Sequence, residues 1–248
     1  MKFVRGGLQM TTIRDCIAPD RNPKVPSIKL PEGSIDTHVH IFESQYPLFE
    51  GRGYNPPDST LDDLKHLHSQ LGVSRVVYTQ PSPYGVDNSA ILKGMKVMND
   101  ETPGRARGVC AIKMDVSDDF LEDLDKQGIK GVRLNMDNIG GMPIGLDEIP
   151  TLEARIKDLG WHVEYLFPGK DIVELAPIFK KSSVPISIAH FAYQPATNGI
   201  NSEGFKTLLD LVRDGNTWIK ISGANRVSET DLPPYDDAVS YTHLTLPT

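Results

Sequence analysis

The chain is short of cysteine, of long apolar runs and of basic charge, and each shortage removes a class of protein. Its two cysteines, Cys16 and Cys110, lie too far apart to form a metal-ligand spacing and make no disulfide framework. That usage suits a reduced, cytoplasmic chain. No apolar segment approaches the roughly 20 residues that span a bilayer. The first 33 residues interleave Lys2, Arg5, Arg14, Arg21, Lys24 and Lys29 with Asp15, Asp20 and Glu32, without the continuous apolar centre of a secretory signal. Lys and Arg number 26 against 33 Asp and Glu, a net charge of -7. Nucleic acid and membrane are therefore not expected as partners. A few local arginines can still outweigh the global sign and hold a small anion. Neither a G-x-G-x-x-G turn nor a Walker A sequence follows the first strand-like segment, which weakens a nucleotide-binding reading.

What is present is a rhythm. Residues 1–33 form a proline-punctuated arm, expected on the surface. From there to residue 239, seven short apolar or β-branched runs appear, at 35–42, 75–80, 106–112, 131–136, 161–167, 185–190 and 218–222. Amphipathic stretches of helical spacing separate them: Leu61, Leu64, Leu67 and Leu71; Phe120, Leu121 and Leu124; Ile149, Leu152, Ile156 and Leu159. Ser59 or Thr60 and Ser117 stand where N-caps belong, and Gly72, Gly128, Gly160 and Gly215 where helices end. Such alternation indicates parallel β/α construction, as an open doubly wound sheet or an eightfold barrel. Polar residues at the ends of several runs favour the barrel, whose site forms at the C-terminal ends of its strands. His40, Gln80, Arg133, Tyr165, His190 and Ser222 all sit there.

The stretch SIDTHVHIF places two imidazoles one residue apart in an apolar strand. A period of two puts His38 and His40 side by side on one face. Two core histidines would need two sets of hydrogen-bond partners, so a metal clamp or a carbonyl-polarising pair is the favoured reading. His190 ends PISIAH and would point into the same mouth. Arg133, in GVRLN, is a guanidinium inside an apolar strand and needs a carboxylate from either protein or ligand. Arg226 follows the seventh run as a second anion contact or a solvated loop residue. His66 and His68 read as solvated, His162 as structural near the barrel floor, and the run Asp118, Asp119, Glu122, Asp123, Asp125 as an exposed helix face.

Seven segments in order, IDTHVHIF, TQPSPYGVDNSAIL, GRARGVCAI, GVRLN, LGWHVEYLF, PISIAHF and WIKISGANRVS, resemble the amidohydrolase superfamily. The nearest branch is the one containing 2-pyrone-4,6-dicarboxylate lactonase. The resemblance implies a (β/α)8 TIM barrel and hydrolysis of a small, anionic, carboxylated lactone by water attack at a polarised carbonyl. Lactone isomerisation or decarboxylation is the alternative within the superfamily, and a non-catalytic fragment the alternative outside it. Carried over, His38, His40 and His190 are catalytic. Gln80, Ser82, Tyr84, Asn88, Arg133, Tyr165 and Arg226 bind substrate. Metal-dependent relatives add a strand-five histidine and a strand-four lysine or glutamate. Arginine at strand four has no lone pair for a cation, so no cofactor is expected. If Zn or Mn did bind, His38, His40 and His190 would hold it. The family's eighth strand carries an aspartate acting on water. It has no counterpart here, and residues 240–248 depart from the pattern as an atypical tail. The expectation is thus a barrel lacking strand eight and its helix, with reduced activity.

Overall fold

The computed structural model describes residues 13–137, 144–230 and 233–245. Each of the seven runs overlaps one strand: β1 (Ile35–Val39), β2 (Arg75–Thr79), β3 (Ala106–Cys110), β4 (Ile129–Asn135), β5 (His162–Leu166), β6 (Ile186–Ile188) and β7 (Thr217–Ile219). They pair in parallel and in chain order within one seven-stranded sheet. Parallel neighbours need crossovers. These are supplied by α1 (Leu61–Leu71), α2 (Ser89–Glu101), α3 (Asp118–Lys126), α4 (Ile149–Ile156), α5 (Ile172–Phe179) and α6 (Glu203–Arg213), followed by the short α7 (Ala224–Val227) and α8 (Val239–Thr245). Among the described residues no helix is long and apolar enough to cross a membrane.

Local chemistry sets the helix ends. Thr60 caps α1 through the Asp63 amide, and the Asp63 carboxylate accepts from the Thr60 amide in return. Gly72 closes the helix in the left-handed conformation that a side chain would disfavour. Ser117 and Ser202 cap α3 and α6 by accepting from the Phe120 and Phe205 amides. The core lies between the outer face of the sheet and the helices, and includes Val76, Tyr78, Met95, Ile129, Trp161, Ile186 and Leu208. Full burial of such aliphatic side chains contributes about 1.5–3 kcal/mol each.

The sheet curls so that its two edge strands approach each other. Lys220, one residue beyond β7, donates to the Thr37 carbonyl of β1 at 3.0 Å. Beside this bridge lies a cleft of about 830 Å3, lined in part by Asp36, His38, Trp218 and Lys220.

Several residues fall differently from the sequence reading. His68 is buried, because Asp36 offers its Nε2 a carboxylate 3.2 Å away. Asp125 leaves the exposed acidic face to accept from Trp161 Nε1 and Lys130. Phe120 is exposed, while Leu121 and Leu124 carry the apolar stripe of α3. The described part of the arm, from residue 13, is mostly exposed, and Arg14–Asp15 pairs in parallel with Tyr54–Asn55. Residues 240–245, expected as an atypical tail, continue α8. There the Tyr241 ring stacks on Phe205 at 4.1 Å and its hydroxyl donates to the Pro195 carbonyl.

Candidate active site

Side chains from alternate strands fill the inside of the curled sheet, and one group of them is charged. His38 from β1, Glu164 from β5 and Lys220 after β7 meet inside the curled sheet. Lys220 Nζ contacts the Glu164 carboxylate and lies 3.0 Å from His38 Nδ1. Glu164 Oε1 is 3.6 Å from the same nitrogen. Burial alone would push the Glu164 carboxyl up, but Lys220 and Arg133 hold it below the usual carboxylate range. It is an ionised, fully buried acid.

One layer nearer the mouth, His40 Nε2 lies 3.3 Å from His38 Nε2, and His40 Nδ1 donates to the Thr79 carbonyl at 2.7 Å. His190 stands 4.9 Å from His38, centroid to centroid, with its Nδ1 2.9 Å from Ser222 Oγ. The parity of SIDTHVHIF thus brings the imidazoles together as expected. Burial, then the Arg133 charge, lowers His40 to about 3 and His190 to about 4. Burial, then His40 and Lys220, holds His38 well below its ordinary value. All three rings are neutral at pH 7.

The mouth is a cavity of about 650 Å3 whose lining includes His40, Ser82, Arg133, Asn135, His190 and Arg226. Arg14, Tyr54, Leu166 and Tyr193 complete its working wall. Among the described lining residues three are arginine and none is Asp or Glu. Arg133 is anchored from behind: Nη1 donates to the Gln80 carbonyl, and Nε stands 3.5 Å from Glu164. Arg226 lies over the Tyr193 ring at 6.0 Å, and that ring stacks on His190.

Four residues expected to touch substrate are placed elsewhere. Tyr165 is turned to the outer face, 4.6 Å from Phe179 of α5. Alternation along β5 aims Glu164 and Leu166 inward instead, so Leu166 takes the mouth position. Asn88 spends its amide on both backbone groups of Ala111 and on the Val86 carbonyl. The Gln80 amide folds the following loop through the Gly85 and Asp87 carbonyls. The Tyr84 hydroxyl is held by the Glu43 backbone. These three build the loop that presents Ser82. The sequence reading missed Glu164, Lys220, Arg14, Tyr54 and Tyr193. A carboxylate inside HVEYL, on the same parity as His162, was the available signal for Glu164.

A divalent cation held by His38, His40 and His190 would take one lone pair from each ring. An ammonium donates and cannot accept. Lys220 therefore makes His38 Nδ1 an acceptor and leaves the His38 proton on Nε2, facing His40. The donor set does not fit a metal.

A parallel β/α sheet with paired histidines at the end of its first strand and a histidine after its sixth is the arrangement that the sequence's resemblance to the amidohydrolases implies. The amidohydrolase family model matches residues 35–245, and the chain belongs to that family. It is 34% identical over 212 residues to the 2-pyrone-4,6-dicarboxylate hydrolase of Comamonas testosteroni, covering 84% of this chain and 68% of that protein. It is 32% identical over 227 residues to the 4-sulfomuconolactone hydrolase of Hydrogenophaga intermedia, covering 90% and 73%. Among solved structures, a probable 2-pyrone-4,6-dicarboxylic acid hydrolase from Acinetobacter baumannii with citric acid bound superposes with a TM-score of 0.74. The two are 28% identical, over 86% of this chain and 78% of the other.

Proposed function

We propose that this protein opens a small lactone bearing carboxylate groups, without a resident metal. The observation that carries the reading is the composition of the mouth: Arg14, Arg133 and Arg226 beside neutral imidazoles, with no carboxylate among the described lining residues. Guanidinium groups bind carboxylates through paired charge-assisted hydrogen bonds. Arg133, fixed on Gln80 and Glu164, sets the substrate's position, while Arg226 and Arg14 meet its outer anionic end. The ring carbonyl then lies against the histidine cluster. There His190, whose ring lines both the mouth and the cleft that holds His38, stabilises the oxyanion that forms as water adds, with the His38 Nε2 proton one layer behind it. The ring C–O bond breaks, and the departing oxygen takes the proton that the added water gives up, leaving an acid and a hydroxyl. His40, whose own proton is committed to Thr79, orients His38. Ser82 and Tyr54 shape the wall between these two regions. The hydrolases to which the chain is similar act, by their names, on a pyrone dicarboxylate and a sulfonated muconolactone. Both are anionic lactones.

We read the seven strands as those of a (β/α)8 barrel, the cleft between β1 and β7 being the place of the remaining strand. We place the protein in the cytoplasm, where Cys16 and Cys110 stay free as they are here. The test is a panel of carboxylated and uncharged lactones assayed in 18O-enriched water. The expected product is a ring-opened acid carrying one solvent oxygen, formed from dicarboxylated members in preference to neutral ones. A product of unchanged mass would replace hydrolysis with isomerisation.

A further inference from the structure

We propose that the Glu164–Lys220 ion pair is a positioning device that gives the His38–His40 pair a fixed donor–acceptor order and thereby closes it to divalent cations. The order is set from both ends of one hydrogen-bonded chain. At one end the Lys220 ammonium has only protons to give, and His38 Nδ1 at 3.0 Å must receive one. At the other end the Thr79 carbonyl can only accept, so His40 Nδ1 carries its ring's proton. Between them a neutral His38 has its single proton on Nε2, and His40 Nε2 has the lone pair that faces it at 3.3 Å. The two rings are thus inequivalent: His38 is the donor and His40 the acceptor. That spacing is long for an N–H···N bond, so an incoming carbonyl oxygen can take over the His38 proton.

The same geometry decides what the cluster can bind. Metal-ligating histidines donate their outer nitrogen to a carboxylate or carbonyl, which turns the other lone pair toward the metal. Such an acceptor stands within reach of His38, since Glu164 Oε1 is 3.6 Å from Nδ1. Lys220 occupies that direction first and engages Glu164 itself. One side chain therefore separates a carbonyl-polarising pair from a cation clamp. Lys220 is held for this task by three partners at once, Glu164, His38 and the Thr37 carbonyl. Lys220→Met removes the donor and leaves Glu164 beside Arg133 as its remaining counter-charge. His38 can then give an Nδ1 proton to Glu164 and offer Nε2 outward.

The consequence for catalysis rests on the lactone-hydrolase reading, but the tests read zinc and proton positions rather than turnover. They can fail while that reading stands, and the lactone panel can fail while they succeed. In the first, ZnCl2 is titrated calorimetrically into metal-free native chain and Lys220→Met. The variant is expected to bind zinc about 10–100-fold more tightly, the range over which an outer partner alters metal affinity. The gain should vanish when His38→Gln is added. Native chain binding zinc as tightly as the variant, or a gain that survives His38→Gln, would overturn the proposal. The second test needs no variant to fold with its acid exposed to a new neighbour. Native chain carrying 15N-histidine is expected to show His38 protonated on Nε2 and bare on Nδ1, its signals assigned by their loss in His38→Gln. A His38 proton on Nδ1 would overturn it equally.

Discussion

At the scale of single residues, chemistry was legible where parity alone decides position, and illegible where it depends on a partner from another strand. His38 and His40 share a face because a strand has a period of two, whatever surrounds it. Tyr165 and Glu164 follow the same rule, yet their run WHVEYLF offers an attractive tyrosine on one parity and a glutamate on the other. The β4–β5 register, with Arg133 opposite Glu164, shows which parity faces inward. No single run contains that information. Two substitutions separate the positions. Tyr165→Phe is expected to leave kcat/KM within about twofold of native, because its ring packs outward against Phe179. Arg133→Met is expected to weaken a dicarboxylated lactone by about 2–5 kcal/mol, as when one partner of a buried charge pair is removed. An uncharged lactone should lose far less. Steady-state kinetics on both substrates check this, and equal losses would make Arg133 a purely structural partner of Glu164.

Among elements, strands and helix caps were readable because their signals are local. Thr60, Ser117 and Gly72 act within one turn of themselves. The turn that carries His190 was not readable, because its conformation opposes local preference. His190, Phe191, Ala192 and Tyr193 all have φ near +50°, a left-handed run that costs roughly 1–2 kcal/mol per residue for side chains of this kind. Tertiary contacts impose it. Gln194 donates to the carbonyls of Gly169 and Ala192. Gly169 lies so close beneath that an added Cβ would stand 2.1 Å from the Tyr193 carbonyl oxygen. Gly223 crosses under His190, where a Cβ would meet its side chain at 3.1 Å. The turn aims both the His190 ring and its stacked Tyr193 at the mouth. Gly169→Ala is therefore expected to lower kcat by at least about tenfold, since a displacement near 1 Å at a reacting group has such effects. The remaining core should hold its urea midpoint to within roughly 2 kcal/mol. A variant with native turnover would show that the turn does not position His190.

For the whole molecule, the β/α order was written in seven runs, but what closes over the mouth was not. Arg14 and Tyr54 come from two-residue strands too short to carry periodicity. The chain thus encloses a cationic mouth inside an acidic protein, and the enclosure leaves a mark on stability. His38, His40, His162 and His190 are all held below the ordinary histidine value, in each case first by burial. The unfolded chain binds protons at these positions near pH 6.5, while the folded chain resists them until about 4 at His190 and about 3 at His40. Between those limits the unfolded state holds more protons, so stability rises with pH. It is fully present above about 6.5 and is lost as pH falls toward the folded values. At pH 5 His40 and His190 each withdraw on the order of 1–2 kcal/mol, with partial exposure to solvent reducing the figure. Urea unfolding at pH 7 and pH 5 is expected to show a fall of several kcal/mol. The fall should be smaller in His190→Gln, which has no proton to take up. A midpoint unchanged between the two pH values would mean that the imidazoles take up protons in the fold as readily as in the unfolded chain. At pH 5 His38 would then be charged, with no lone pair for Lys220 to meet.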